Sequence, residues 1–224
     1  MPPIIIESIP GDKSISHRAI IIGSLTQGAS LFNGFLCSDD CLNTLTIFQQ
    51  LGVAINLTGT TVKINSAGVA GLKSPNSPLD VGNSGTGIRL IAGALTGSNI
   101  TATLTGDASI QKRPMGRIID PLTLMGANII ATDNRPPLQV TGTPNLIPNT
   151  SYKMPIASAQ VKSALLLAGC AANIPVKVIE PEQCRDHTER MLRLFGAKIE
   201  SKNGTVSLTD AGLISPASPI QIPA

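Results

Sequence analysis

Residues 49–55 read QQLGVAI, and the pattern returns as TLMGANI at 123–129 and RLFGAKI at 193–199. Each copy runs apolar residue, glycine, small residue, variable residue, isoleucine. It predicts the end of an amphipathic helix, a glycine at its C-terminus, and then a strand. The glycines, Gly52, Gly126 and Gly196, are spaced by 74 and 70 residues. Self-similarity at such a spacing marks a repeat.

A second series runs in step with the first. Helix openings at Ser14, Ser84 and Ser158 are spaced by 70 and 74 residues and begin SISHRAIIIGSL, SGTGIRLIAGAL and SAQVKSALLLAG. Each helix is read as ending in a small, Gly-containing turn. Each leads into a β-rich run: TQGASLFNGFL, TGSNITATLTG and ANIPVKVIEP. Three units of about 70 residues result, each with two helices and several short strands. The period is too long for common solenoids, so a closed pseudo-threefold α/β arrangement is expected. The three helices are apolar nearly all round and should be buried. Amphipathic stretches such as DHTERMLRLFG should cover the outside. The fold class expected is therefore an inside-out α/β domain, with helices inside and sheets outside. The Pro-rich GLKSPNSPLD and NRPPLQVTGTPNLIPNTSYKMP read as ordered turns joining strands.

The composition narrows what such a domain can do. A chain of 224 residues can bury a sizeable core. Aromatics are only 2% of residues, so the core must be Ile, Leu, Val and Ala, and base stacking on aromatic platforms is excluded. The net charge of +3 comes without any Lys/Arg run, so no polyanion-binding tail is expected. No stretch approaches the ~18 uninterrupted apolar residues of a membrane span. The start, MPPIIIESIPGDKS, lacks the charged region and long apolar run of a signal peptide. Cys37, Cys41, Cys170 and Cys184 lie too far apart for a zinc ribbon and read as reduced thiols of a cytoplasmic protein.

The three helix starts carry the chemistry. Lys13-Ser14 with Arg18, Asn83-Ser84-Gly85-Thr86 with Arg89, and Ser158-Ala159-Gln160 with Lys162 occupy equivalent positions. Helix N-termini present unpaired N–H groups and partial positive charge, which attract anions. Threefold symmetry would aim three such ends at one region, with Arg113 nearby. Taken singly, Ser14, Ser84 and Ser158 read as ordinary caps. QKRPMGR alone reads as a solvated basic turn before a helix starting near Pro121. Basic or polar residues at all three starts are what no capping rule predicts.

PGDKSISHR, GNSGTGIRL, GDASIQKRPMGRIIDPL, ASAQVKSALLLAG and RDHTERML together resemble, in order, the N-terminal half of the 5-enolpyruvylshikimate 3-phosphate synthases, in the bacterial class II wording. The likeness spans almost the whole chain. It implies two domains, each of three βαβαββ units, closing over shikimate 3-phosphate and phosphoenolpyruvate. The reaction implied joins the two substrates as a carboxyvinyl ether and releases phosphate. It also implies a cytoplasmic, monomeric whole enzyme that uses no cofactor and no metal. Residues 1–12 would then be a crossover strand or hinge. The repeats would run about 13–82, 83–152 and 153–220, with 221–224 opening a second crossover.

By resemblance, Lys13 contacts both substrates, and Ser14, Arg18, Ser158, Ala159, Gln160 and Arg185 hold shikimate 3-phosphate. Asn83, Gly85, Thr86 and Arg113, with Lys13 and Gln160, hold phosphoenolpyruvate. Both substrates are polyanions, so fixed cations and N–H donors can replace a metal. Acid–base work needs carboxylates as well, and the family places those in its second domain. Asp12, Asp39, Asp40, Asp107 and Asp186 read as caps and turns, and His17 and His187 as structural. The chain is thus half an active site, inactive alone, with the absent domain as its partner. Gly85 stands where glyphosate-tolerant members of the class carry Ala, which implies a sensitive whole enzyme. Two other readings stay open: a relative that transfers the same group to a UDP-amino sugar, and a non-catalytic anion-binding domain. The first would place a Cys in the GDASIQKRPMGR loop, which has none.

Overall fold

Gly52, Gly126 and Gly196 have φ of +90°, +89° and +87°, a left-handed turn that side chains other than glycine rarely adopt. Each turn is closed by a backbone amide from further along the chain. Lys73 N–H donates to Leu51 O (2.9 Å), Ile147 N–H to Met125 O (2.8 Å) and Ile214 N–H to Phe195 O (2.7 Å). The repeat read from the sequence is therefore a repeat of backbone geometry. These details come from a computed structural model that describes residues 9–224.

The described strands form three four-stranded sheets of one plan. In the first, β1 (Gln27–Asn33) pairs antiparallel with β3 (Thr61–Ala67), which pairs with β2 (Ala54–Thr58). The second holds β4 (Leu79–Asp80), β5 (Thr101–Thr105), β7 (Arg135–Thr141) and β6 (Asn128–Thr132), in that order. The third holds β8 (Thr150–Lys153), β9 (Val176–Ile179), β11 (Thr205–Asp210) and β10 (Lys198–Lys202). β4 lies parallel to β5, and β8 parallel to β9. The counterpart in the first sheet is β12 (Ile220–Gln221), from the other end of the chain, parallel to β1 through Phe32 and Ile220. The third repeat thus hands its last strand back to the first, and the arrangement closes on itself. In β3 and β7 inward and outward residues alternate, as expected of sheets with one face on the core.

Inside lie α1 (Lys13–Leu25), α3 (Gly85–Thr96) and α6 (Ala159–Ala172), buried on nearly every face. Burying each Leu or Ile contributes roughly 1.5–3 kcal/mol, so these helices anchor the core. Small residues allow close crossing: a Cβ on Gly93 would lie 2.3 Å from Ala164 O. Outside lie α2 (Asp39–Gln50), α5 (Gly116–Leu124) and α7 (His187–Leu194), each buried on one side only. The inside-out layering is as expected.

Four local expectations need correction. The second repeat has an extra helix, α4 (Ala108–Gln111), opened by Asp107, whose carboxylate accepts from Ser109 and Ile110 N–H. The helix placed near Pro121 starts at Gly116. Pro121 lies inside the helix, at its sixth residue, where it forfeits the bond to the Arg117 carbonyl. Arg135-Pro136-Pro137 belongs to strand β7, with a cis bond between the prolines, and is no connection. Finally, α6 passes through Gly169 and stops at Asn173, which takes the left-handed conformation (φ +53°).

Candidate anion site at three helix N-termini

The helix caps are Asp12, Ser84 and Ser158. Asp12 Oδ1 accepts from Ile15 N–H at 2.8 Å, so Ser14, expected to open α1, lies inside its first turn. Ser84 Oγ accepts from Gly87 N–H (2.9 Å) and Ser158 Oγ from Val161 N–H (3.4 Å). A carboxylate caps as well as a hydroxyl does, and at α1 this leaves the Ser14 hydroxyl to other partners.

Side chains stitch the three starts together. His17 Nδ1 lies 2.8 Å from Thr44 Oγ1 and its Nε2 3.2 Å from Ser84 Oγ. Thr44 O–H donates to Asp40 O at 3.2 Å, so Nδ1 carries the proton and Nε2 accepts from Ser84. Burial, only partly opposed by Asp40, lowers the His17 pKa to about 4. The imidazole is a neutral tie between α1, α2 and the cap of α3, the structural role expected. Gln160 joins α6 to α3: its Nε2 donates to Thr86 Oγ1 (2.9 Å), and its Oε1 accepts from Arg89 Nη1 (3.1 Å). Arg89 also donates to Gly85 O at 2.9 Å. Its pKa is lowered by burial and by Arg113 and Arg117.

Arg18 joins α1 to α6 and α7 and is only 3% exposed. Its Nε donates to Thr188 Oγ1 (2.6 Å), Nη2 to Ser163 Oγ (2.8 Å), and Nη1 to Ser14 O (2.8 Å) and Ser14 Oγ (2.5 Å). Burial lowers its pKa to about 10, still far above neutrality. His187 Nδ1 sits 3.3 Å from Ser14 Oγ. Arg113 Nη2 donates to Asn83 Oδ1 (3.0 Å), and Asn83 Nδ2 to Asp107 Oδ2 (2.7 Å). Gly85 lies against two arginines of the second repeat: a Cβ there would stand 2.5 Å from Arg113 Nη1 and 3.1 Å from Arg89 Nη1.

Arg18, Arg89, Arg113 and Arg185 have no ion-pair partner among the described residues. Lys13 does: it pairs with Asp40 on α2 while remaining half exposed. Arginines without direct counter-charge, beside helix starts that His17 and Gln160 tie together, are an arrangement for an anion with several charges. Residues 5–218 match the family described as EPSP synthase (3-phosphoshikimate 1-carboxyvinyltransferase).

The chain belongs to the EPSP synthase family.

The 3-phosphoshikimate 1-carboxyvinyltransferase of Shouchella clausii is 50% identical over 202 residues, which are 89% of this chain and 46% of that protein. Its counterpart in Acidithiobacillus ferrooxidans is 47% identical over 216 residues, covering 96% of this chain and 49% of that protein. The solved EPSP synthase of Acinetobacter baumannii superposes with a TM-score of 0.89 at 44% identity, again over 96% of this chain and 49% of the other. The chain thus spans about half the length of these EPSP synthase relatives.

One basic residue departs from its expected place. Lys162, read as the third counterpart of Arg18 and Arg89, is 1% exposed and points into the core. Its Nζ pairs with Glu180 Oε1 (2.8 Å) and Glu189 Oε1 (2.6 Å). Burial opposes its charge, but hydrogen bonds donated to the two carboxylates prevail and raise its pKa. It is unavailable to a ligand. Nothing local told it from Arg18, which also sits in a helix apolar nearly all round; the difference is made by Glu180 and Glu189, brought in from elsewhere in the chain. The roles of Ser163 and Thr188 at Arg18 were missed, because nothing local distinguishes a hydroxyl aimed at a distant guanidinium from one aimed at solvent.

Proposed function

We propose that this chain supplies the N-terminal half of a 3-phosphoshikimate 1-carboxyvinyltransferase site, holding shikimate 3-phosphate and phosphoenolpyruvate for carboxyvinyl transfer to the 5-hydroxyl, in the cytoplasm and without cofactor or metal. The observation that carries this reading is the convergence of three capped helix starts on arginines that no described carboxylate pairs. Ser14, Arg18, Ser158, Ala159, Gln160 and Arg185 are assigned to shikimate 3-phosphate. Asn83, Gly85, Thr86, Arg113 and Gln160 are assigned to phosphoenolpyruvate, and Lys13 reaches both. Lys13 is held by Asp40 in the free chain, and its exposed ammonium can exchange that partner for a ligand oxygen.

The acidic residues support binding without turnover. Asp12 and Asp107 cap helices, Asp40 pairs with Lys13, and Asp186 pairs with Arg190. None is placed to move a proton on a bound substrate, so acid–base catalysis is left to the half of the family not covered here. Preset donors at the three helix starts would stabilise developing charge once that half closes.

The test is a calorimetric titration of the chain with shikimate 3-phosphate, repeated with Arg185→Ala and Ser158→Ala. Binding that weakens in both variants, with no turnover when phosphoenolpyruvate is added, supports the reading. A folded chain that binds neither shikimate 3-phosphate nor phosphoenolpyruvate overturns it. With Gly85 unsubstituted, the complete protein should be inhibited by glyphosate, and a flat inhibition curve would count against that part of the assignment.

A further inference from the structure

Arg18 is a buried guanidinium whose direct hydrogen bonds all go to neutral oxygens, although carboxylates lie close. Glu189 acts on its charge more strongly than any other carboxylate, yet does not pair with it. The reason is visible one residue away. Lys162 on α6 and Glu189 on α7 form an ion pair at 2.6 Å. The adjacent residues, Ser163 just after Lys162 and Thr188 just before Glu189, form a hydroxyl pair at 2.6 Å. These two rungs join the helices, and Arg18 rests on the second.

The donors along this ladder can be ordered. Ser163 O–H donates to Ala159 O at 2.6 Å, so its oxygen is left to accept. Thr188 then donates to Ser163 and accepts from Arg18 Nε. On the other side, Arg18 Nη1 donates to Ser14 Oγ, so the Ser14 hydroxyl must point its own proton elsewhere. In the free chain His187 Nδ1 stands 3.3 Å away to receive it. An anion at the start of α1 would take it instead.

We propose that Lys162, Ser163, Thr188 and Glu189 are positioning residues: Lys162 withholds Glu189 from Arg18, and the two hydroxyls aim the guanidinium so that Ser14 presents a donor to an incoming anion. This rests on the anion-site reading above and extends it to residues that touch no ligand. Among the described residues Glu189 Oε2 is buried with no hydrogen-bond partner, so a carboxylate oxygen stands ready to capture Arg18 if Lys162 is removed. A buried unpaired oxygen is costly, and an ion pair with Arg18 would relieve that cost while quenching the site.

Two readouts on the nitrogen-15-labelled chain test this: hydrogen exchange at the arginine Nε–H groups, and titration with shikimate 3-phosphate. Arg18 Nε–H should exchange far more slowly than that of exposed Arg185. Thr188→Val should abolish that protection and weaken shikimate 3-phosphate binding about tenfold, the scale of one hydrogen bond to a charged group, and Thr188→Ser should restore both. Lys162→Met should weaken binding by at least as much, and Lys162→Met with Glu189→Gln should recover it. A merely structural role predicts no recovery on removing a second buried group. Should Lys162→Met fail to fold, the Thr188 pair decides. Unchanged exchange and affinity in Thr188→Val, or no rescue by Ser, overturns the proposal. A chain that binds no shikimate 3-phosphate while Arg18 still responds to Thr188→Val upholds the positioning and overturns the substrate assignment instead.

Discussion

Gly85 opens α3 directly against Arg113, so closely that a Cβ on the glycine would come within 2.5 Å of the Arg113 Nη1. The atom in the way is the far end of a flexible side chain, and Arg113 is tethered there only by Asn83. Gly85→Ala should therefore shift the guanidinium and cost little stability, since Ala favours the helix by up to about 1 kcal/mol. On the proposed assignment, phosphoenolpyruvate affinity should fall roughly tenfold, about 1.4 kcal/mol. Titration together with thermal unfolding checks this. A large drop in melting temperature with unchanged affinity would show that Gly85 serves packing alone.

The contrast with Gly93 is instructive. There a Cβ would meet backbone, Ala164 O at 2.3 Å and Ala164 Cα at 2.6 Å, and backbone cannot swing aside. Gly93→Ala should destabilise the chain by roughly 2–3 kcal/mol despite the gain in helix propensity. Gly116→Ala is the control, because its nearest neighbour is Asn134 Nδ2 at 3.5 Å. It should be neutral or slightly stabilising. Equal urea midpoints for the two variants would refute the account of how α3 and α6 cross.

His17 makes stability depend on pH. Its pKa falls to about 4 in the folded chain, chiefly through burial, against an ordinary value of 6.5. Between those values the unfolded chain binds the proton and the folded chain does not, so stability is fullest above about pH 6.5 and drains as pH falls toward 4. The loss attributable to His17 is at most about 3 kcal/mol. Urea unfolding from pH 7 to 4 should show this slope, reduced in His17→Gln. Superimposable profiles would mean that His17 is not held neutral.

The four thiols are all free and should separate by access and acidity. Cys37 is exposed and should react with an aromatic disulfide reagent first. Cys184 is pushed up to about 11 by burial and by Glu180, and Cys170 to about 12 by burial. Cys41 is also raised, mainly by burial. One thiol should therefore titrate rapidly in the folded chain, with Cys41 and Cys170 appearing only in denaturant. Rapid reaction of Cys170 would contradict its place inside α6.

The repeat, the layering and the polar helix starts are all legible in the sequence. Gly52, Gly126 and Gly196 recur because a left-handed stop suits glycine alone, and such local stereochemistry is written in the residue that bears it. The same holds for three helices apolar on every face, which have nowhere to go but inside. Only the tertiary structure decided which polar groups are spent and which are available. Lys162 and Arg18 look alike in sequence, each a cation four residues after a serine. One is neutralised by Glu180 and Glu189, while the other meets only hydroxyls and a carbonyl. It likewise decided that Ile220 completes the sheet begun at Gln27, a pairing across most of the chain. A buried charge answers to whatever distant elements bring against it, and a strand edge to whatever strand arrives, so neither outcome is encoded near the residue that shows it.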